Sequence, residues 1–184
     1  DDDERDLFLN WLAFKIQNPP RRSYAVVMIA EEAFGVGRSW LKTMLTAVLQ
    51  GKGVNTVTLS QLVGKGTSAE ANYNDWMTEA QFLIVEEAKD VSREDFYSAY
   101  ENFKQIVDIR VMPVRVNPKY GRTRNEFAFF NALIFSNHSD ALALPENDRR
   151  IAVLTNPREM ETPAYYDRLE AALSNGEPRR IYWY

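Results

Sequence analysis

The stretch from Tyr24 to Leu41 most constrains the fold, because an apolar run, a glycine loop and a helical pattern follow one another directly. Residues 24–30 are apolar, which is typical of a short strand buried on both faces. The loop from Glu31 to Gly37 comes next, and apolar residues then recur at helical spacing as far as Leu49. Strand, glycine loop, basic residue, hydroxyl residue and helix is the arrangement of a phosphate-binding loop.

The loop matches the phosphate-loop template only in part. Gly37 and Ser39 occupy template positions. Glu32, however, stands at the first glycine position and Arg38 at the lysine position. On these residues alone, a nucleotide site and a strand–helix turn that binds nothing both remain open. A dinucleotide-binding fingerprint is disfavoured, because the bulky Trp40 stands where its third glycine should be.

The composition restricts the chemistry that such a site can use. The 184 residues include no cysteine, which excludes disulfides, thiolate nucleophiles and zinc–thiolate sites. His138 is the only histidine, so a multi-histidine metal site is excluded as well. The net charge of −4 does not favour nucleic-acid binding by the whole surface, although a local basic patch can still provide it. No apolar run approaches the length of a membrane span, so we expect a cytoplasmic protein with no membrane partner.

A second buried-strand pattern ends in two carboxylates. Residues 82–85 are apolar, and Glu86 and Glu87 follow directly. In open α/β sheets, ligands bind outside the carboxyl ends of the strands, where such a pair can hold magnesium and polarise an attacking water. The pair can also simply begin a solvated loop. With a phosphate loop upstream, we favour the magnesium interpretation.

Two further strand patterns have polar or basic neighbours. Residues 132–135 predict a buried strand, and Asn137 beyond its end can position a water or a phosphate. Arg149 and Arg150 precede another strand pattern at residues 151–154. Adjacent arginines before a strand usually form structural ion pairs, but in an NTPase they are candidates for an arginine finger.

The region from Ile109 to Arg124 predicts a β-hairpin with a basic tip. Residues 109–116 alternate, residues 117–121 form the turn, and the second strand runs through residues 122–124. Four side chains near the tip can contact phosphates and stack a base: Lys119, Tyr120, Arg122 and Arg124. The alternative is an ordinary solvated hairpin, which these residues alone favour.

The remaining patterns predict helices over residues 6–17, 92–107 and 163–173 and a strand over residues 54–59. Strands that alternate with helices indicate an α/β fold, and the predicted basic hairpin would be inserted in it. We expect residues 1–20 to form a helix packed on a core of residues 21–184. We expect the chain as a whole to be a fragment of a longer protein.

In their order, these stretches resemble the superfamily 3 helicase domain of viral and phage replication proteins, the D5-like primase–helicase group. The matching pieces cover nearly the whole chain: Trp11-Leu-Ala-Phe14, Gln17-Asn-Pro19, Gly35-Val-Gly-Arg-Ser39, Leu83-Ile-Val-Glu-Glu87, Phe103-Lys-Gln-Ile106, Asn117-Pro-Lys-Tyr-Gly121, Phe135-Ser-Asn-His138 and Asp148-Arg-Arg150. The resemblance implies an AAA+-like P-loop NTPase fold, with a central, mostly parallel sheet and helices on both sides. It implies an ATPase that couples Mg-ATP hydrolysis to movement along single-stranded DNA. It also implies a homo-oligomeric ring, usually hexameric, in the host cytoplasm.

The resemblance further assigns roles to residues of this chain. The nucleotide-binding set would be Gly35, Val36, Gly37, Arg38, Ser39 and Trp40, with Ser39 and Glu86 also on magnesium. The catalytic set would be Arg38, the water-activating base Glu87, the γ-phosphate sensor Asn137, and Arg149 or Arg150 reaching a neighbouring subunit's nucleotide. Lys119 on the hairpin would contact DNA.

Two hypotheses from different classes therefore stand side by side. The first is an ATP-dependent DNA helicase or translocase domain. The second is a degenerate AAA+ module that binds nucleotide or DNA for assembly without efficient hydrolysis, and its motivation is the set Glu32, Arg38 and Glu86. A P-loop nucleotide kinase fits less well, because it explains neither the basic hairpin nor the placement of Asp148-Arg-Arg150.

Overall fold

The computed structural model describes residues 2–30, 37–58, 61, 73–86, 103–104, 106–137, 148–156 and 159–183. Within these residues the strands are β1 (Ala25–Ile29), β2 (Val54–Thr58), β3 (Phe82–Glu86), β4 (Pro113–Val116), β5 (Arg124–Phe127), β6 (Asn131–Ser136) and β7 (Ile151–Thr155). The helices are α1 (Asp2–Gln17), α2 (Arg38–Val48), α3 (Pro163–Ser174) and α4 (Pro178–Trp183), with a 3₁₀ turn at Asp75–Met77. No described helix is both long and apolar enough to cross a bilayer.

The central sheet has five strands in the order β2-β3-β6-β1-β7. Every pairing in it is parallel, so the carboxyl ends of all five strands meet at one edge. The strand β6 lies between β1 and β3, although it follows both of them in the chain. The prediction of an α/β fold with a mostly parallel central sheet flanked by helices is confirmed.

Both faces of the sheet are covered, as the continuous apolar strands require. One face buries alternate residues such as Val26, Ile84 and Leu133 against α1 and α2. The other face buries their neighbours, among them Val27 and Ile134, against a cluster that includes the aromatic rings in the second half of the chain. The sheet is therefore the middle layer of three. Successive side chains of a strand point to opposite faces, so burial of both sets requires a layer on each side.

The first helix begins earlier than its apolar pattern predicts. The acidic residues Asp2, Asp3 and Glu4 form its first turn rather than preceding it. Carboxylates there interact favourably with the positive end of the helix dipole, which accounts for the extension. Further along α1, Trp11 is buried, and its indole N–H donates to the Tyr24 carbonyl at 2.7 Å. This bond joins the helix to the start of β1.

The hairpin and the carboxyl terminus also differ in detail from prediction. The hairpin strand β4 begins at Pro113 rather than Ile109, and β5 continues to Phe127. The helix α4 after Gly176 was not predicted from the sequence. The predicted helix over 92–107 lies mostly outside the described residues. At its end, the Val107 N–H donates to the Phe103 carbonyl at 2.9 Å, which is a helical turn.

A buried lysine near the carboxyl end of α1 joins this helix to two other segments of the chain. The ammonium of Lys15 donates to the carbonyls of Pro19, at 2.7 Å, of Arg21, at 2.9 Å, and of Phe129. Burial, reinforced by the nearby charge of Arg22, lowers the pKa of Lys15 to about 8. At neutral pH the group therefore remains protonated and keeps three N–H donors for three carbonyls. Lys15 links α1 to both the entry of β1 and the entry of β6.

We expect Lys15→Met to lower the free energy of unfolding by about 3 kcal/mol, because several buried carbonyls lose their donor. Lys52→Met is the matched control, since Lys52 is exposed on a turn, and it should change stability by less than about 0.5 kcal/mol. Urea unfolding followed by circular dichroism measures both. Equal stabilities for the two variants would contradict the structural role of Lys15.

Candidate functional site

The helix α2 begins directly after the glycine loop. Gly37 is its N-cap residue and has φ of 88°, a left-handed conformation that glycine adopts without the steric cost of a Cβ. Gly37 provides no side-chain cap, and the first turn of α2 contains no carboxylate. The N–H groups of a first helical turn lack intrahelical acceptors, so an uncapped helix start without a carboxylate attracts anions.

The side chain of Arg38 extends from the first turn of α2 to the end of β6. One guanidinium nitrogen donates to the Ser136 carbonyl at 2.9 Å, and another donates to the side-chain oxygen of Asn137. The guanidinium also lies over the ring of Phe135, 5.8 Å from its centroid. The planar fork of arginine makes these contacts together, which a lysine ammonium does not reproduce. In this structure Arg38 is thus a bridge between the loop helix and β6.

A second basic residue of α2 reaches the acidic end of β3. The ammonium of Lys42 forms an ion pair with the Glu86 carboxylate at 2.7 Å. Arg38 and Lys42 are four residues apart, so they project from the same face of the helix. Sequence reasoning did not single out Lys42. The sequence feature that could have indicated Lys42 is its position four residues after Arg38 on an amphipathic helix.

One pocket lies at the carboxyl edge of the sheet. Its volume is about 300 Å³, and its described lining residues are Arg38, Ser39, Glu86, Phe135 and Asn137. Three elements contribute to it: the start of α2, the end of β3 and the end of β6. The register explains why they meet, since Val85 pairs with Ile134 and Ile29 pairs with Ser136. Four residues predicted to bind nucleotide or magnesium, or to sense phosphate, are therefore brought together.

Other predicted site residues lie elsewhere or outside the described residues. Gly35, Val36 and Glu87 are outside them, so their assignments stay predictions. The Trp40 indole N–H donates to the Leu169 carbonyl at 2.8 Å, which directs this ring toward α3. A nucleotide contact by Trp40 is likewise still a prediction.

The two predicted finger arginines lie at the opposite edge of the sheet. Arg149 is exposed just before β7. Arg150 is half-buried, and its guanidinium lies 3.6 Å from the Asp148 carboxylate. At the amino edge of a parallel sheet, neither side chain is near the pocket of its own chain. A contact with nucleotide would have to be made to another subunit.

The four predicted DNA-binding residues are exposed on the hairpin. Tyr120 is 87% exposed at the tip, whereas Arg124 forms an ion pair with Glu126 two residues along β5. Residues 109–130 contain five basic side chains and one acidic one, a local charge of +4 in a chain whose net charge is −4. The hairpin is therefore a basic region on an otherwise acidic molecule, as nucleic-acid contact requires.

The donors in the pocket suit a magnesium ion. Mg²⁺ keeps several waters and takes one or two protein oxygens, and the Ser39 hydroxyl and the Glu86 carboxylate are hard oxygen donors of that kind. The described part of the chain contains no group of three or more histidine, cysteine or acidic residues that could hold a metal without other ligands. A magnesium ion here would be held jointly by these two side chains, by water and by a phosphate group.

Comparison with known families assigns the chain. Residues 32–150 match a family described as a "Family of unknown function (DUF5906)", and this range is more than half of the 184 residues. The chain belongs to the DUF5906 family. The matched range begins in the glycine loop and ends at Arg150, so it contains every residue placed in the pocket. No curated protein sequence matches this DUF5906 chain.

Solved structures show the same fold. An apo structure of the NrS-1 C-terminal region is 20% identical and covers 99% of this chain and 42% of its own, with a TM-score of 0.79. Another apo structure of that region, in an A form, is 22% identical with a TM-score of 0.73 and matches 99% of this chain and 41% of its own.

The helicase of JCV, solved with a bound small molecule, is a third structure with this fold. It is 14% identical, with a TM-score of 0.53, over 96% of this chain and 46% of its own. The DUF5906 chain thus shares the P-loop NTPase-like fold of these helicase-region structures. It spans less than half the length of these three solved chains.

We expect Arg38→Ala to lower the free energy of unfolding by about 1–2 kcal/mol, because the guanidinium bonds that join α2 to β6 are lost. Arg179→Ala, an exposed arginine on α4, is the control and should cost less than about 0.5 kcal/mol. Urea unfolding midpoints measure the difference. If the two variants unfold alike, Arg38 does not make the bridge in solution.

Proposed function

We propose that this chain is an ATPase domain of a DNA helicase or translocase in a phage or viral replication protein. The observation that carries the proposal is the pocket of about 300 Å³ in which Arg38, Ser39, Glu86 and Asn137 meet. In open parallel sheets, a pocket at the carboxyl ends of the strands is the usual ligand site. The fold shared with the NrS-1 C-terminal region and the JCV helicase supports the same assignment.

We assign the residues in and beside the pocket separate roles in phosphoryl transfer. The first turn of α2 and Arg38 would bind the phosphates of ATP, and the Ser39 hydroxyl and Glu86 carboxylate would hold magnesium. Magnesium, when bound, neutralises charge that develops on the transferred phosphoryl group. Glu87 would orient and deprotonate the attacking water, because it directly follows the carboxyl end of β3. Asn137 would contact the γ-phosphate from the end of β6.

Two contacts must rearrange for this chemistry. The Lys42 ammonium donates a hydrogen bond to Glu86 Oε1, so magnesium would compete with Lys42 for this oxygen. Both partners of this ion pair are partly solvated, with side-chain exposures of 34% and 49%, so the pair is weak enough to exchange. The Arg38–Asn137 bond joins the phosphate-binding residue to the proposed sensor in the same way. A bound γ-phosphate would lie between these two polar groups.

The same contacts also support the second candidate, a module that binds nucleotide for assembly without efficient hydrolysis. Arg38 and Glu86 already have intramolecular partners, and arginine and glutamate both depart from the more usual lysine and aspartate. Under this alternative, ATP binds but turnover stays at background. Arg38→Lys should then not create activity.

The proposed partners follow from the two edges of the sheet. Single-stranded DNA would contact the basic hairpin through Lys119, Tyr120, Arg122 and Arg124. A homo-oligomeric ring, such as a hexamer, would place Arg149 or Arg150 of one subunit at the nucleotide of the next. We place the protein in the cytoplasm of the host.

The decisive experiment is ATP turnover with magnesium, measured with and without single-stranded DNA. We expect hydrolysis that DNA accelerates, and a fall of at least about 100-fold in kcat for Glu87→Gln, because a carboxamide cannot act as the base. Glu170→Gln, an exposed glutamate on α3, is the control and should retain wild-type turnover. Assays belong on this chain and on the longer protein, because an arginine in trans needs an assembled ring.

Three outcomes are informative. Turnover that Glu87→Gln abolishes supports the ATPase. Tight ATP binding without turnover in both preparations supports the non-hydrolysing module. Absence of binding at millimolar ATP in an assembled preparation would overturn both.

A further inference from the structure

The hairpin has one face toward the core and one toward solvent. Val116 is buried, and Val114 packs against the core cluster. In an antiparallel pair, residues that face each other across the strands lie on the same side. Val114 pairs with Glu126 and Val116 with Arg124, so these four residues share the inner side. The ion pair between Arg124 and Glu126 therefore lies on this inner side.

The outer face combines a cation, an amide and two aromatic rings. Pro113 pairs with Phe127, and Arg115 pairs with Asn125, which places all four on the solvent side. Phe127 is 54% exposed, and Phe129 beyond the end of β5 is 37% exposed. Their ring centroids are 6.2 Å apart at an interplanar angle of 28°. Two nearly parallel phenylalanine rings are thus displayed side by side to solvent.

The outward position of these rings is fixed by their neighbours. Ala128 and Phe130 alternate with them and are almost fully buried, with exposures of 1% each. The Phe129 carbonyl accepts a bond from the buried Lys15 ammonium. The backbone is therefore anchored on the core side, and both rings must face outward. Exposed apolar surface held in this way is typical of a binding surface.

The charge around the rings indicates what they bind. The hairpin region carries +4 on a chain of net charge −4. Arg110 is paired with Asp108 at 2.9 Å, and Arg124 with Glu126. Within the described part of the chain, Arg115 has no ion-pair partner, and it lies on the same face as Phe127. A protein partner for the rings alone would not need this local excess of positive charge, whereas a polyanion with stacking bases matches both features.

We propose that the outer face of the hairpin is a base-stacking platform for single-stranded DNA, formed by Phe127 and Phe129 with Arg115 on the phosphates. The proposal rests on the proposed function and extends the DNA contact from the hairpin tip to its base. Consecutive side chains on one face of an extended chain are about 6.6 Å apart, so each ring can receive its own base. Asn125, between the cation and the rings, offers hydrogen bonds to a base edge or a phosphate.

The test is fluorescence anisotropy of a labelled oligo(dT) with the full chain, over a series of salt concentrations. Phe127→Leu and Phe129→Leu keep apolar area but lose the aromatic face, and each should weaken binding about tenfold without changing the salt slope. Phe127→Tyr keeps a ring and should bind as the wild type does. Arg115→Gln should weaken binding and reduce the slope of log K against log salt by about one.

The control is Tyr165→Leu. Tyr165 on α3 is 37% exposed, as Phe129 is, and also lies in an aromatic pair, with Tyr166. This variant should leave oligo(dT) affinity unchanged. Circular dichroism of every variant establishes that it is folded.

Two results would overturn the platform while the proposed function stands. The first is wild-type affinity in both leucine variants. The second is a change of particle mass in light scattering when the rings are replaced by alanine but not by leucine, which would make the patch an interface between copies. If the wild-type chain binds no oligo(dT) at all, the proposed DNA translocation fails first, and the platform fails with it.

Discussion

The arrangement at the carboxyl edge depends on the position of β6 between β1 and β3. Adjacent strands lie about 5 Å apart, so this order puts the end of β6 within reach of both the glycine-loop helix and the acidic strand. Arg38 then bridges α2 to Ser136 and Asn137, and Lys42 bridges the same helix to Glu86. A sheet with β1 beside β3 would not leave room for a polar strand end between loop and carboxylate. The pocket is a consequence of strand order.

The same strand connects the two functional edges of the molecule. All six residues of β6 are buried, from Asn131 at the amino edge to Ser136 at the carboxyl edge. The hairpin ends only a few residues before Asn131, and the proposed phosphate sensor Asn137 directly follows Ser136. In the proposed helicase, DNA at the hairpin and nucleotide at the pocket would thus contact opposite ends of one buried strand. In that helicase, a displacement at either end would be transmitted along a close-packed core rather than through a flexible loop.

The sequence was sufficient for the strands and for much of the pocket, because strands buried on both faces are continuous apolar runs whose ends are easy to locate. The pocket residues each follow or end a predicted strand, and parallel strands end together at one edge of a sheet. The sequence therefore predicts at the carboxyl edge Gly37, Arg38, Ser39, Glu86 and Asn137. The contacts of Lys42 and Lys15 were not predicted. Each depends on a partner far away in the chain, Glu86 for the first and Phe129 for the second. No local periodicity records such pairs.

The differences at element boundaries have local causes. The apolar pattern over residues 6–17 does not include the acidic start of α1, although carboxylates in the first turn stabilise a helix. Residues 127–130 form an apolar run, in which nothing marks Phe127 and Phe129 as the rings that face solvent. Only the register with β4 and the burial of Ala128 and Phe130 show that these two rings face outward. Where both sets of alternate residues are apolar, the sequence pattern does not show which face the core covers.

The most direct test of the central claim is hydrogen–deuterium exchange of the backbone amides with and without Mg-ADP. Binding of phosphates at the carboxyl edge should slow exchange in a peptide that covers residues 37–44 and in one that covers residues 131–137. The hairpin amides of residues 113–127 should exchange unchanged, because they lie at the other edge of the sheet. Protection confined to the hairpin, or no protection at either end of the pocket at millimolar nucleotide, would contradict a nucleotide site at the carboxyl edge.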